Sequence, residues 1–473
     1  MNTKSTAQPG LNLLALRPVR ALVLWPGFPY VFQAVALVVF VVLAFIGWGH
    51  LTPPGVNAKL YAKANLVNLL IWGLWWPAIV WVTVLFGRVW CAVCPMELVA
   101  NFSERLGRNL GLRQWRLSGW LAKGSLVICF FALLQMLVPG IQIHRVPAYT
   151  SIFLWVILAA AFVTGLLLKD RAFCRGFCPV VLLLNAYGRG GMLAVRAGST
   201  EACQGSDDTA CRTNTNHTKA DARSCPSLLN PSKLDSNQDC LTCGQCVKTC
   251  PQANMQFVLR APFSRADARE SLASWPLTLF VMMVSGFVIY ELSGVWKTAE
   301  PIFLWAPRGV SAALNAGAAA GWIQGVWTIV VVPLLLWLGL GGVTWVVGGA
   351  KSLSEAWRRL ALPMAVVVAA GHMAKSLEKF TSWAGFLPYA WAEPSGVQTS
   401  LQMNAKALAQ PAAWLSPRPL SLFAMMIGGT AVVLAVREAR LTDPEQYQRR
   451  IAPVLLLGGF YFFLVFGWGG WTS

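Results

Sequence analysis

Charge is scarce in this chain. Only 12% of the 473 residues are charged, against about 25% in ordinary soluble domains. That excludes the two or three water-soluble domains the length would otherwise allow. Acidic residues are the scarcer sign, 19 against 38 Lys and Arg, which leaves a formal net charge of +19. No stretch interleaves aromatic with basic residues in the manner of an RNA-binding surface, so nucleic acid is not an expected partner. No Cys-x-x-Cys-His occurs, which excludes c-type haem attachment. No strand-rich stretch suggests a β domain, and the cysteines do not fall in the pattern of a secreted disulfide framework. A leader peptide is not expected. The first apolar run begins near residue 30, is as long as a true span, and has no small-residue cleavage site after it.

Apolar surface is abundant. Apolar residues make up 56% of the chain and there are 23 Trp, a side chain suited to water–lipid interfaces. Runs near the length of about 20 residues that a bilayer requires occur at 30–49, 66–86, 118–139, 151–168, 273–293, 322–347, 360–378, 419–436 and 451–468. Pro333 interrupts the sixth and is where that run is expected to tilt or break. The stretch 301–320, broken by Pro307 and Arg308, is placed outside the bilayer. The expected fold is an all-α polytopic membrane protein of about nine transmembrane helices with a small α+β insert. Its parts are a membrane domain over 1–187, a polar block over 188–272 and a second membrane domain over 273–473. With the N-terminus inside and the spans alternating, the inside segments hold 28 of the 38 Lys and Arg, as the positive-inside rule requires. The polar block then faces the cytoplasm.

Seven of the twelve cysteines lie in that block. Cys240, Cys243, Cys246 and Cys250, followed by Pro251, form C-x2-C-x2-C-x3-C-P. This is the bacterial ferredoxin run, whose last Cys ligates the other cluster of a pair. Zinc is the rival ligand, but the Cys-Pro ending favours iron–sulfur. The partner half is worn: Cys203, Cys211 and Cys225-Pro226. Exchange of fourth ligands assigns Cys225, Cys240, Cys243 and Cys246 to one [4Fe-4S] cluster. Cys203, Cys211 and Cys250 are left for a second that lacks one thiolate, with Ser206 standing where a Cys is expected. That second centre is a cubane with an oxygen ligand, a [3Fe-4S] cluster, or absent. His217 reads as a solvated loop residue, and Cys129, alone in "LVICFFALL", as a small core hydrophobe.

The chain also repeats itself. "FGRVWCAVCPMELVANFSERLGR" (86–108) and "LKDRAFCRGFCPVVLLLNAYGRG" (168–190) each follow a span. Each then runs Arg, aromatic, Cys, a short spacer, Cys-Pro, an apolar stretch and Asn. Cys91, Cys94, Cys174 and Cys178 are candidates for a third metal or cluster site, for dithiol switches, or for structural helix-end turns. A third constellation, His372, Lys375 and Glu378 in "LPMAVVVAAGHMAKSLEKF", recurs every three residues near the outer end of a span. Ionisable groups there are costly and often functional. A quinone site, a haem with His372 opposite His144 or Met373, and an interfacial helix end with a snorkelling lysine all remain open, and Glu291 can join either site. His50 and His144 read as ordinary loop residues.

Two Cys-Pro loops at the inner membrane face, followed by a ferredoxin run, resemble the membrane polyferredoxins of the NapH and NosR group over roughly residues 60–260. The resemblance implies electron transfer between the quinone pool, cytoplasmic clusters and an exported redox partner, in a bacterial inner membrane. Three departures stand out. The first loop has a two-residue spacer, the first ferredoxin half is a Cys short, and about 200 C-terminal residues are additional. Accessory proteins of the CcoG type share the loops and clusters. Hence metal-ion reduction for a metal-centre assembly pathway is the alternative function, and redox sensing is a third. The chain is accordingly expected to be an electron-transfer component of an oxidoreductase system, with the lipid bilayer, a redox partner protein and quinone as its associates.

Overall fold

The computed structural model describes the chain except residues 1–9, 123, 200–201, 204–209, 212–215, 217–218, 263–266, 268–271, 443, 446 and 471–473. Ser206 and His217 thus lie outside the described residues. The molecule is an all-α polytopic membrane fold with few strands. Each of the nine apolar stretches falls on a helix. Seven are long and apolar enough to cross a bilayer: α2 (Leu66–Phe86), α5 (Pro147–Leu167), α6 (Trp275–Ser293), α7 (Gly317–Val346), α8 (Leu353–Ala392), α9 (Pro417–Thr442) and α10 (Gln448–Trp468). Two are shorter, α1 (Tyr30–Ile46) and α4 (Ser125–Gly140). The non-spanning helix α3 (Pro95–Asn109) follows the first Cys-Pro loop.

Proline and local widening explain how the helices deviate. In α7 the turn Trp327–Val331 opens to i→i+5 bonding immediately before Pro333. The ring has no N–H to donate, so the wider turn absorbs the missing bond. The helix therefore adjusts at Pro333 but does not end there. Residues Ala299–Ala313, around Pro307, form a helix too short and too interrupted to span. Cys129 lies on an exposed face of α4, not in the core. An apolar residue on a membrane helix can face lipid as readily as protein, so apolarity alone did not place it.

The chain divides into two compact units, each assembled from three segments. One comprises 1–40, 82–126 and 157–269, the other 41–81, 127–156 and 270–473. The first unit holds a three-stranded antiparallel sheet in the order β1 (Gly10–Asn12), β5 (Met255–Arg260), β4 (Leu193–Ala197). Two-residue strands β2 (Trp115–Arg116) and β3 (Leu168–Lys169) pair in parallel elsewhere in that unit. In the main sheet Leu11 faces Leu259 and Val195 faces Phe257. Its inner face packs Val195, Met255 and Phe257 against Val23, Val247 and Cys240. The ferredoxin run is thereby seated on a sheet. Lys248 fastens the short helix Gln245–Thr249 by donating to the carbonyls of Trp25 (2.8 Å) and Phe28 (2.6 Å) and pairing with Asp221 (2.7 Å). In the second unit α8 is the central helix. Its most apolar stretch is 89% buried, against 28% for that of α9.

Candidate iron–sulfur and membrane sites

The ferredoxin loop winds tightly because Asp239, Thr242 and Gly244 all take left-handed backbone angles. Glycine does so without steric cost, and at Gly244 a Cβ would also press on Val23 at 3.1 Å. The coil brings Cys240, Cys243 and Cys246 within electrostatic reach of one another and of Cys225. Burial raises all four thiols, Cys243 to about 12; neighbouring sulfurs add to the shift at Cys240, Cys243 and Cys246, while Arg171 and Arg223 oppose it at Cys225. Cys211 reaches the same group through Cys246. Asn254 sits between two further thiols: its backbone N–H donates to Cys250 Sγ at 3.3 Å and its Nδ2 to Cys203 Sγ at 3.1 Å.

The two Cys-Pro loops converge in the same unit. Cys94 feels Cys91 and Cys178, and Cys174 feels Cys178 and Cys94. Burial dominates here also, lifting Cys178 to about 11 and Cys174 well above its ordinary value. The shared Cys-Pro motif has a local reason. Pro95 opens the first turn of α3 and Pro179 stands two residues before the helix Val181–Gly188, and the N–H groups at the start of each helix have no partner within it. Met96 and Glu97 turn theirs toward Cys94, and Val180 and Val181 toward Cys178.

Between the two thiol sets lies a buried ion-pair network that the sequence reading missed. Glu97 is 3% exposed. Its Oε2 accepts from Arg171 Nε at 2.6 Å and its Oε1 from Arg223 Nη2 at 3.0 Å. Burial alone would raise the Glu97 carboxyl. The two guanidiniums outweigh it and hold it below the usual carboxylate range. Arg88 donates to Asn185 Oδ1 at 2.5 Å and lies 3.4 Å from Asp239 Oδ1. A signal existed: Glu97 interrupts the apolar stretch of its repeat, where the second loop has Val181.

The donor set fits iron–sulfur. Thiols gather from separate segments, backbone N–H groups face the sulfurs, and two buried guanidinium donors beside them, Arg88 Nε and Arg223 Nε, find no acceptor among the described residues. Such donors suit an anionic cluster, whose hydrogen bonds and burial tune its potential. Among the described residues no three His, Cys, Asp or Glu side chains draw together as the ligands of a single ion.

The second unit contains a cavity of about 50 Å³, room for a few waters. Trp72, Trp76 and Phe287 wall it, and Gln135, His144, Glu291, His372, Lys375 and Lys379 bring polar groups to it. His372 lies edge-on to Phe287, with ring centroids 5.7 Å apart. The structure thus places His372 and Lys375 on one cavity. Glu378 does not line it but pairs with Lys375 at 2.8 Å, while Glu291 lies 3.6 Å from the same ammonium. His144 is a cavity residue, contrary to its reading as an ordinary loop residue. It and Gln135 come from segments distant in sequence, so spacing did not reveal them. Gln135 Oε1 is buried with no hydrogen-bond partner among the described residues, whereas His144 Nε2 accepts from Arg145 Nε at 3.1 Å.

A profile of the 4Fe-4S binding domain matches residues 68–113 and 151–196, the two halves that carry the repeated Cys-Pro loops. The chain is 27% identical to YccM of Escherichia coli (strain K12), whose name assigns it to electron transport, over 47% of this chain and 66% of that protein. It is 26% identical to the ferredoxin-type protein NapH of Haemophilus influenzae, over 44% of this chain and 76% of NapH. It is also 28% identical to the methylamine utilization ferredoxin-type protein MauN of Paracoccus denitrificans, over 34% of this chain and 54% of MauN. No solved structure matches. The domain match and these relatives together show that the chain resembles the NapH-like membrane polyferredoxins.

Proposed function

We propose that this chain relays single electrons between cytoplasmic iron–sulfur clusters and a redox partner in or beyond a bacterial inner membrane. The observation that carries the reading is the gathering of Cys225, from one segment, with Cys240, Cys243 and Cys246 from another, Cys240 buried, the other three half-buried, and all within electrostatic reach of one another. These four residues would hold one [4Fe-4S] cluster. Cys203, Cys211 and Cys250, with Ser206 as an oxygen donor, would hold the second, as a cubane or as [3Fe-4S]. Cys91, Cys94, Cys174 and Cys178 would hold a third centre. Bound there, such groups supply reversible one-electron storage. The protein's own contribution is to bury the thiols, aim N–H groups at them and hold cations alongside.

The membrane terminus of the relay is a quinone site in the second unit. Gln135 offers an unpaired oxygen to a ring hydroxyl, and His144, His372 and Lys375 stand on the same cavity. A flat ring entering there displaces the water it can hold and packs on Trp72 and Trp76. The N-terminus and the polar block face the cytoplasm.

An iron and sulfide count on anaerobically purified protein, with EPR before and after dithionite, tests the reading. About four irons per chain support one cubane, about seven or eight support two clusters, and more place iron between the Cys-Pro loops. Cluster reduction on adding a quinol supports the membrane site. Colourless, iron-free protein overturns the proposal.

A further inference from the structure

The repeat places Arg88 and Arg171 in equivalent positions, each three residues before the first Cys of its loop. In the fold each side chain leaves its own loop and reaches the ferredoxin segments. Arg88 Nη2 lies 3.9 Å from Cys91 Sγ while Nη1 reaches Asp239, the residue before Cys240. Arg171 Nη1 donates to Ser227 Oγ at 3.3 Å, two residues after Cys225, while its Nε holds Glu97. Glu97 in turn accepts from Cys174 Sγ at 3.5 Å and from Arg223, two residues before Cys225. Arg223 closes the circuit. Its backbone N–H donates to Gln245 Oε1 at 3.1 Å, and its carbonyl accepts from Thr249 Oγ1 at 3.0 Å, on either side of Cys246. Arg88, Arg171, Arg223 and Glu97 are all at least nine-tenths buried.

We propose that Arg88 and Arg171 are a matched pair of positioning residues that lock the two Cys-Pro loops onto the segments carrying Cys225 and Cys240, and that with Glu97 they set the charge between the two thiol sets. The inference rests on the iron–sulfur reading above. Two features separate it from simple loop fastening. The first is symmetry: the same repeat position is used twice, once toward each flank of the ferredoxin ligands. The second is an unbalanced charge. Glu97 carries one negative charge against the positive charges of Arg171 and Arg223. Asp239, which opposes Arg88, is half exposed and therefore screened by water. A net positive charge remains buried beside the sulfurs. Each arriving electron adds a negative charge there, and in a low-dielectric interior that attraction is strong.

Opposite-signed potential shifts are the test, because a purely mechanical tie does not produce them. The whole protein, purified anaerobically in detergent, is reduced stepwise under EPR. Arg171→Gln removes a positive charge and is expected to lower the midpoint potential of the cluster held by Cys225. Glu97→Gln keeps the side-chain shape and one of the two acceptor oxygens, removes a negative charge and is expected to raise it. The expected change in the reduction equilibrium is about tenfold in each direction, about 59 mV for a one-electron couple. Arg171→Lys, which keeps the charge, is expected to stay near wild type. Where Glu97→Gln fails to load iron, Asp239→Asn is expected to move the potential upward by less, its charge being partly screened at a half-exposed position. Iron-loaded variants whose potentials do not move, or move in one direction only, overturn the inference while leaving the clusters in place. Wild-type protein without iron overturns the functional reading and this inference with it.

Discussion

Glu97 has given up water for two guanidiniums, and the consequence is measurable apart from any redox chemistry. Removing one member of a buried ion pair leaves the other charge uncompensated, at a typical cost of about 3–5 kcal/mol. Glu97→Ala is therefore expected to lower the unfolding midpoint in detergent more than Glu97→Gln, which keeps the side-chain volume and one carbonyl oxygen to accept from a guanidinium. The sign of the pH effect follows from the depressed carboxyl of Glu97. Its stabilising contribution is present above the ordinary carboxylate value of 4.5 and is lost as pH falls through the lower folded value. The wild type should lose stability on acidification below that range more steeply than Glu97→Gln. Equal slopes would mean that the carboxylate is not the group that matters. At this scale the sequence was partly legible. The grouping of Cys240, Cys243 and Cys246 could be read from their spacing, because one tight loop carries all three. That of Glu97, Arg171 and Arg223 could not, because their meeting depends on three segments being folded together.

Helix positions were legible for a different reason. A bilayer demands about 20 apolar residues, and all nine such runs became helices. What hydropathy does not carry is which helix is central, since lipid and protein are equally apolar environments. The windows of α8 and α9 have mean hydropathies of 1.5 and 2.0, yet one is mostly buried and the other mostly exposed. Both stretches carry small residues, and the difference is whether a neighbouring helix lies against them. At Gly371 of α8 a Cβ would meet Val288 Cγ1 of α6 at 2.6 Å and Tyr461 of α10 at 2.8 Å. At Gly428 of α9 it would meet nothing within 4 Å. Overpacking typically costs about 1–3 kcal/mol. Gly371→Val should lower the melting temperature of the detergent-solubilised protein and Gly428→Val should not. Matched losses at both positions would show that glycine serves helix flexibility here, not close contact.

Over the whole molecule the organising quantity is charge asymmetry. Anchoring Lys and Arg on one side of the membrane orients short loops during insertion, and 28 of 38 fall in segments assigned to one side. Both Cys-Pro loops and the polar block fall on that same side, although the cysteines played no part in assigning it. Accessibility checks this directly. Leu112 is an exposed residue in an inside segment, and Gly309 is an open position in a segment assigned outside. In spheroplasts, a membrane-impermeant maleimide should label Gly309→Cys above the wild-type background at once. It should reach Leu112→Cys only after the membrane is permeabilised. The reverse pattern would put the proposed iron–sulfur ligands outside the cell, where no cytoplasmic electron donor could reach them, and the direction of the proposed relay would have to be redrawn from the other face.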